Sequence, residues 1–391
     1  MKYNFDKVID RSGTSAEKVE GLKHIWGRTD LIPLWVADMD FATAPFVTDA
    51  IRKRCENEVL GYTGKPDSYY NAIINWVKQR YDLIVTKEVI NFVPGIVPGI
   101  GMAMNCFTQK GDKVMIQPPV YHPFAWVTTR NERTLVINPL KWENGMYRMD
   151  LDAFREQIKG CKLFILCNPH NPGGVVWTEA ELRAIADICY DEKVLVFSDE
   201  IHADLTLPPH THRPFATVSE KARMNSVTFM SPSKAFNMPG LSASHALIFN
   251  EDLRKRFRIY MDAGELDMGH VFAFLSVEAA YSHGTEWLDQ CLAYIQGNID
   301  FVDEFLKKHA PKIKAIRPEA SYLVWLECRE LELSLIDMNE FFVDKAHLAL
   351  NDGEMFGKEG IGFMRLNVAS PRCIIEKAMK QLADAYQLYI K

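Results

Sequence analysis

A lysine between hydroxyl side chains is the part of this 391-residue chain whose residue types most clearly suggest chemistry. Residues 231–237 read Ser-Pro-Ser-Lys-Ala-Phe-Asn and follow the apolar run 225–230. The amine of Lys234 could hold an aldehyde cofactor as a Schiff base, and Ser231 and Ser233 could bind the phosphate of that cofactor. A loop lysine by itself is more often a solvated surface residue, so the prediction depends on the segments that accompany it.

Two other segments have the same form, an apolar strand followed by a polar loop. The run 162–167 ends in Asn-Pro-His-Asn-Pro-Gly-Gly at 168–174, and the run 194–197 ends in Ser-Asp-Glu-Ile-His at 198–202. Strands that are apolar throughout are typical of a parallel sheet covered on both faces. Polar residues at the carboxyl ends of such strands lie where open α/β sheets bind ligands.

A helix is predicted between these two strands. Thr178 and Glu181 have the spacing of a capping box, which marks a helix start. Apolar residues then recur at helical spacing at Leu182, Ile185, Ala186 and Cys189. The segment therefore reads as strand, helix, strand.

Composition limits the classes of protein that need to be considered. A length of 391 residues favours two domains, and a net charge of -6 without a basic run gives no surface suited to nucleic acid. The eight cysteines are scattered, and the polar start at residues 1–4 has no apolar signal segment, so we expect a cytoplasmic protein. His210 and His212 lack further ligands at metal-binding spacing, so we expect no metal site and a solvent-exposed loop there.

Taken in order, the polar loops are similar to those of a known family. The loops at 168–174, 198–200 and 231–237, together with Arg365 in Phe-Met-Arg-Leu-Asn, resemble the pyridoxal-phosphate enzymes of the class I/II aminotransferase fold over nearly the whole chain. Within that fold, three segments look like the branch of cystathionine β-lyases and C-S lyases. They are Leu-Trp-Val-Ala-Asp-Met-Asp-Phe at 34–41, Gly-Tyr-Thr at 61–63 and Pro-Pro-Val-Tyr-His-Pro-Phe at 118–124.

The resemblance implies an α/β protein of the fold type I architecture. A mostly parallel seven-stranded sheet between helices would form the large cofactor-binding domain, 46–285. Residues 286–391 would form a smaller α+β domain, joined by the N-terminal segment 1–45. The apolar strands cluster between about Val114 and Phe249, while 301–306 reads as helix and 321–326 as strand.

The resemblance also assigns the residues around the cofactor ring. Lys234 would carry the cofactor and remove the Cα proton of the substrate, which requires a lowered pKa. Asp199 would keep the pyridine nitrogen protonated, and Asn171 would donate to the phenolic oxygen of the ring. Tyr121 would stack on the ring and complete the catalytic set. Without the resemblance, the commoner role is metal ligand or helix cap for Asp199 and packing residue for Tyr121, while Asn171 can be a turn residue and a cofactor contact at once.

The phosphate is expected at the start of a helix after residues 94–99, where free amides and the helix dipole favour an anion. Gly95, Ile96 and Val97 would supply those amides, and Ser231 and Ser233 would add hydroxyls. The wider fold often has an arginine eight residues after the lysine, where this chain has Ser242. The resemblance implies a homodimer in which Tyr62 of the second subunit reaches the phosphate.

Two further positions complete the predicted site. His202 stands where the wider fold often has a tyrosine that bonds the phenolic oxygen, and it is either a hydrogen-bond partner of the cofactor or a packing residue. Arg365 would hold the substrate carboxylate with its planar fork, with Asn171 and Ala37 beside it.

The predicted reaction is α,β-elimination. An amino acid with sulfur on Cβ, such as cystathionine or cysteine, would give a thiol, pyruvate and ammonia. An aminotransferase acting on an amino acid and a 2-keto acid is the alternative, because it shares every step up to proton removal. A third reading is a regulatory protein that keeps the pocket as a ligand sensor.

Overall fold

The computed structural model describes residues 1–389 of the chain. Its helices are α1 Glu17–Trp26, α2 Pro45–Cys55, α3 Asp67–Tyr81, α4 Ile96–Phe107, α5 Pro123–Arg130, α6 Leu151–Gln157, α7 Glu179–Asp191, α8 Glu220–Met224, α9 Glu251–Ala263, α10 Val271–His283, α11 Thr285–His309, α12 Leu335–Asn339 and α13 Arg372–Tyr389. Within the described part of the chain, no helix combines the length and apolar character needed to cross a membrane.

The strands are short, and most of them belong to two sheets. They are β1 Ile32–Pro33, β2 Ile90–Val93, β3 Lys113–Ile116, β4 Thr134–Ile137, β5 Lys141–Glu143, β6 Met146–Arg148, β7 Cys161–Cys167, β8 Leu195–Asp199, β9 Ser226–Met230, β10 Ser244–Leu247, β11 Lys314–Ile316, β12 Leu323–Glu327, β13 Leu348–Ala349, β14 Asn351–Asp352 and β15 Phe363–Asn367.

The larger sheet has seven strands in the order β2-β10-β9-β8-β7-β3-β4. Strand β10 is antiparallel to both of its neighbours, and the other pairings are parallel. This confirms the predicted mostly parallel seven-stranded sheet. Because β7, β8 and β9 run the same way, the loops that follow them leave the sheet at one edge.

Helices cover both faces of this sheet, as the apolar strands predict. Leu163 and Ile165 of β7 belong to one hydrophobic cluster with side chains of α4, α5 and α9. Phe164 and Leu166, which point to the opposite face, belong to another cluster with α6 and α7. Side chains alternate along a strand, so a strand buried on both faces needs an apolar residue at every position.

The second sheet has four strands in the order β11-β12-β15-β14, all antiparallel. It is built from residues 314–367, and helices α11 and α13 contribute to the hydrophobic cluster that includes Leu323, Val324 and Leu366 from its strands. The N-terminal part of the chain joins this region through β1, which pairs in parallel with β13.

The predicted local elements are largely confirmed. Helix α7 begins at the predicted capping box, in which Thr178 accepts from the amide of Glu181 and the Glu181 carboxylate accepts from the amide of Thr178. The run 301–306 lies in α11, and 321–326 overlaps β12. Strand β2 begins well before Val114, where we expected the strand cluster to start. It is only four residues long and contains the polar Asn91, so its apolar signal is weak.

Candidate active site

The three polar loops meet at the carboxyl edge of the larger sheet. Cys167, the last residue of β7, pairs with Asp199 of β8 in the strand register, and Asp199 pairs with Phe229 of β9. A cavity lies at this edge beside the start of α4. Ten of the thirteen predicted site residues line it: Ala37, Gly95, Ile96, Val97, Tyr121, Asn171, Asp199, His202, Ser233 and Lys234.

The amine of Lys234 is buried in this cavity. Its Nζ donates to the carbonyl oxygen of Ala37 at 2.5 Å. Burial lowers the pKa of Lys234 to about 8, with a further decrease from Arg365 and opposing increases from Asp38 and Asp199. A buried lysine of this kind loses its proton more readily than a lysine in water. A nucleophile or a base must be unprotonated, so this property suits either role.

Asp199 ends strand β8 and is 3% exposed. One carboxylate oxygen accepts from the amide of Ile201 at 3.1 Å. Burial raises the pKa of Asp199 to about 7, and the neighbouring Glu200 raises it further. A carboxylate placed in this way favours a cationic partner in the cavity, because such a partner offsets the cost of burying the negative charge.

The loop of His210 and His212 differs from the expectation of solvent exposure. His212 is buried, and its Nε2 lies 2.8 Å from the carboxylate of Glu200. The same carboxylate accepts from the hydroxyl of Ser198 and the amide of Phe215, each at 2.8 Å. The prediction was wrong for His212, because the buried carboxylate of Glu200 needs partners and the histidine supplies one. His210 remains partly exposed.

Arg365 lies on β15, is 4% exposed and has partners that fix its orientation. Its guanidinium donates to Asn171 Oδ1 at 3.1 Å, to Asn351 Oδ1 at 2.6 Å and to the carbonyl oxygen of Trp35 at 3.1 Å. Burial lowers the pKa of Arg365 to about 10. All three acceptors are neutral, so the positive charge is available for an anionic ligand.

Asn351 is a member of this site that sequence reasoning missed. It lies on β14 directly opposite Arg365 in the antiparallel register. The only local sign was its place before Asp352 and Gly353, which reads as a turn. A contact across fourteen residues depends on the strand pairing, which the sequence pattern does not specify.

The start of α4 forms another part of the cavity lining. The first amides of a helix have no acceptor within the helix, and here Gly95, Ile96 and Val97 line the cavity at that point. Ser233 lines it as well. Ser242, the residue at the position of the usual arginine, is exposed and also lines the cavity. The cavity lining therefore offers amides and hydroxyls to an anion.

Ser231 is placed behind Ser233, outside the cavity lining. Its hydroxyl donates to the carbonyl oxygen of Ala243 at 2.8 Å, lies 2.9 Å from the hydroxyl of Ser233, and accepts from the amide of Ser233 at 3.1 Å. These contacts hold Ser233 in place. A direct phosphate contact of Ser231 stays a prediction.

His202 is buried and lines the cavity. Burial lowers the pKa of His202 to about 3, so the ring is neutral at pH 7. Its Nδ1 has no hydrogen-bond partner within residues 1–389. Tyr121 also lines the cavity, and burial raises the pKa of its phenol. Both side chains are therefore neutral groups that line the same cavity as Lys234 and Asp199.

Tyr62 is the predicted residue that lies farthest from this arrangement. Its side chain is 97% exposed, in a loop beside residues 267–271, and it does not line the cavity of its own chain. Its predicted role toward a neighbouring subunit is compatible with that exposure and stays a prediction.

The donor set fits pyridoxal phosphate. Lys234 offers an amine for the aldehyde, Asp199 a carboxylate for the ring nitrogen, and the start of α4 with Ser233 offers amides and a hydroxyl for the phosphate. Asn171 and the neutral His202 lie within the same cavity and can bond the phenolic oxygen. Each polar part of the cofactor therefore has a chemically suitable partner.

Comparison with known proteins gives a consistent result. The profile of the family described as aminotransferase class I and II matches residues 29–382. The chain is 37% identical to cystathionine beta-lyase PatB of Bacillus subtilis, over 98% of this chain and 99% of that protein. The crystal structure of cystalysin from Treponema denticola, which contains pyridoxal 5'-phosphate, has a TM-score of 0.96 at 33% identity and covers 100% of both chains. The pyridoxal-phosphate-bound C-S lyase from Staphylococcus hominis has a TM-score of 0.91 at 35% identity, over 98% of each chain.

Proposed function

Because this chain belongs to the aminotransferase class I and II family, and within it to the branch of cystathionine β-lyases, we propose that it cleaves carbon–sulfur bonds by α,β-elimination. It is a pyridoxal-phosphate-dependent enzyme. Its substrates are amino acids with sulfur on Cβ, and its products are a thiol, pyruvate and ammonia.

One observation carries this proposal. The amine of Lys234 and the carboxylate of Asp199 line a single cavity, in a chain similar to carbon–sulfur lyases over nearly its full length. Bound pyridoxal phosphate supplies an aldehyde for the substrate amine and a protonated ring that accepts the electron pair left when Cα loses its proton. Asp199 favours the protonated ring because a buried carboxylate stabilises an adjacent cation.

Lys234 is the group suited to removing the Cα proton. With a pKa of about 8, a useful fraction of the amine is deprotonated near neutral pH, whereas an ordinary lysine is almost wholly protonated there. The carbonyl of Ala37 holds the amine when it is not bound to the cofactor. Once protonated, the same group can return a proton to the departing sulfur.

Arg365 is suited to binding the substrate carboxylate. Asn171, Asn351 and the carbonyl of Trp35 orient its guanidinium without neutralising it. Its Nε is buried and has no hydrogen-bond partner within residues 1–389, so a carboxylate can use that donor. Ala37 and Asn171 line the cavity, and Asn171 also contacts Arg365, so both would limit the positions open to the substrate.

The proposal is tested by incubating the purified enzyme with cystathionine, without a keto acid, and measuring pyruvate. We expect steady release of pyruvate and a thiol, and none from Lys234→Ala. Turnover that required an added keto acid would show an aminotransferase instead. Cofactor binding with no turnover of any sulfur amino acid would favour the sensor reading.

We also propose that the enzyme acts as a homodimer in which Tyr62 completes the site of the partner. Val59 and Leu60 are exposed together with Tyr62, and such an apolar loop is suited to a protein contact. Dimers assembled from equal amounts of Lys234→Ala and Tyr62→Ala subunits should regain up to roughly a quarter of wild-type activity. About half of these dimers are hybrids, and one of the two sites in each hybrid is intact. Failure to regain any activity would contradict a shared site.

Two further proposals concern organisation. The division at residues 45 and 285 is supported by the position of the seven-stranded sheet, 90–247, and of the four-stranded sheet, 314–367. A cytoplasmic location is supported by the eight free cysteines, most of them buried. Limited proteolysis and cell fractionation would test these two proposals.

A further inference from the structure

The segment 36–41 contacts both the loop that carries Lys234 and the strand that carries Arg365. The carbonyl of Ala37 accepts from Lys234 Nζ at 2.5 Å and from the hydroxyl of Tyr322 at 2.9 Å. Asn237, three residues after the lysine, bonds the amide and carbonyl of Met39 at 3.0 Å each. Asn367, on the strand of Arg365, donates to the carbonyls of Val36 and Asp38 at 2.7 and 2.6 Å. A shift of this segment would therefore move the acceptor of the lysine amine.

An ion cluster of Arg11, Lys18, Asp38 and Asp40 holds this segment from its other side. The guanidinium of Arg11 contacts both oxygens of Asp38, at 2.6 and 3.1 Å, and one oxygen of Asp40 at 3.2 Å. Lys18 Nζ lies 2.9 Å from Asp40 and 3.5 Å from Asp38, and it also donates to the carbonyl oxygen of Asp38. Two cations thus face two carboxylates next to Ala37.

Burial of Lys18 indicates that this cluster is more than a surface ion pair. Its side chain is 0% exposed, although it lies on α1 near the N-terminus of the chain. Burying an ammonium is costly unless it is paired and hydrogen-bonded, and most surface ion pairs contribute little. Exposed positions on the same helix would have avoided that cost. The arrangement therefore points to a requirement for charge at this place.

The charges around Lys234 explain that requirement. Asp38 and Asp199 favour the protonated amine, and Arg365 disfavours it. His202 and Tyr322 lie nearby as neutral groups. Arg11 and Lys18 neutralise Asp38 and Asp40. They therefore reduce the electrostatic stabilisation that Asp38 gives to the protonated amine of Lys234.

Resting on the proposed role of Lys234, we propose that the ion cluster of Arg11, Lys18, Asp38 and Asp40 is a positioning device for this amine. It fixes the Ala37 carbonyl that accepts from Nζ, and the balance of its charges sets how readily the amine releases its proton. Its members act through the segment 36–41 and through charge, without touching the substrate.

The test follows the covalent capture of pyridoxal phosphate by the apoenzyme, measured by visible absorbance as a function of pH. Capture requires the unprotonated amine, so the midpoint of its rate profile reports the protonation of Lys234. Lys18→Met leaves Asp38 and Asp40 less neutralised, so its midpoint should rise by about half a pH unit, which is roughly threefold slower capture below the midpoint. Asp38→Asn should move the midpoint in the opposite direction.

Opposite shifts are the informative result, because a general loosening of the site would change both profiles in the same way. Arg28→Met is the matched control, since Arg28 lies in the same N-terminal part of the chain but pairs with Asp30 and Asp344, outside the cluster. It should leave the midpoint unchanged. Arg11→Gln, at a half-buried position, replaces Lys18→Met if thermal unfolding shows that the latter does not fold.

Unchanged midpoints in both variants, or shifts in the same direction, would overturn the inference while leaving the proposed function intact. Absence of covalent capture by the wild-type apoenzyme would instead contradict the proposed function. The two failures are therefore distinguishable within one experiment.

Discussion

Asn351 and Arg365 face each other across the β14–β15 pairing, and the amide oxygen of Asn351 accepts from the guanidinium at 2.6 Å. The ring of Phe356 lies on the face of the same guanidinium, 4.7 Å from ring centroid to Cζ. A neutral acceptor and an aromatic face hold the cation without using up its charge. Its positive charge is then available to pair with the carboxylate of the substrate.

Replacing Asn351 by aspartate should therefore harm substrate binding more than replacing it by alanine. In Asn351→Asp the new carboxylate pairs with Arg365 and competes with the substrate. In Asn351→Ala one hydrogen bond to a charged group is lost, and such a bond contributes about 1.5–3 kcal/mol. If this contribution is lost from transition-state binding, kcat/KM falls roughly tenfold or more. Steady-state kinetics with cystathionine would measure both. A larger effect of the alanine variant would contradict this account of Arg365.

The two serines of the lysine loop should have separable effects. Ser233→Ala removes a hydroxyl that lines the cavity, so the Kd of the apoenzyme for pyridoxal phosphate should rise by about tenfold or more. Ser231→Ala removes contacts to Ala243 and Ser233, so it should lower the free energy of unfolding by about 1–3 kcal/mol with a smaller effect on Kd. Absorbance titration and denaturant unfolding measure the two quantities. A larger rise in Kd for Ser231→Ala would show that Ser231 itself contacts the phosphate.

Local patterns predicted the buried strands and the polar loops that follow them, and the resemblance to a known family supplied the complete seven-stranded sheet. Apolar runs specify strands buried on both faces, and the polar loops that follow them must meet at one edge. The roles of Lys234, Asp199 and Asn171 around a cofactor ring came from the resemblance to a known family and not from these patterns. Capping at Thr178 is equally local, since both partners lie within one turn.

The parts that the sequence did not predict depend on contacts between distant residues. Asn351 reaches Arg365 through a strand register, and Lys18 reaches Asp38 and Asp40 through the packing of α1. His212 was assigned to solvent because no further metal ligands stand near it in the sequence, and its actual partner, Glu200, lies twelve residues away along the chain. A polar residue in a loop has the same sequence signature whether it faces water or a buried charge.

Gly174 joins the loop of Asn171 to residues 318–320 by close backbone contact. Its φ is +69°, its carbonyl accepts from the amides of Glu319 and Ala320, and a Cβ would lie 2.4 Å from Pro318 Cβ. Gly174→Ala should lower the free energy of unfolding by about 2–4 kcal/mol, measured by denaturant unfolding. Gly145→Ala is the control, because its φ is +81° but no atom lies within 4 Å, so about 1 kcal/mol is expected. Equal losses would show that the contact with Pro318 is unimportant.

The carboxylate of Asp199 should make the apoenzyme less stable as pH rises. Burial raises its pKa to about 7 from an unfolded value near 3.8, so its contribution to stability is full below about pH 4 and is lost as pH rises through 7. An amide side chain at this position does not ionise. Between pH 4 and 8, the free energy of unfolding of the Asp199→Asn apoenzyme should therefore rise relative to that of the wild type, by about 4 kcal/mol at most. Urea unfolding across that range measures the gain, with Asp187→Asn on the exposed face of α7 as the control for loss of a charge. The same Asp199→Asn variant should bind pyridoxal phosphate more weakly, because the ring nitrogen loses its anionic partner. A stability difference that did not grow with pH would show that Asp199 ionises in the apoenzyme without cost, and would remove the electrostatic reason for pairing it with a protonated ring.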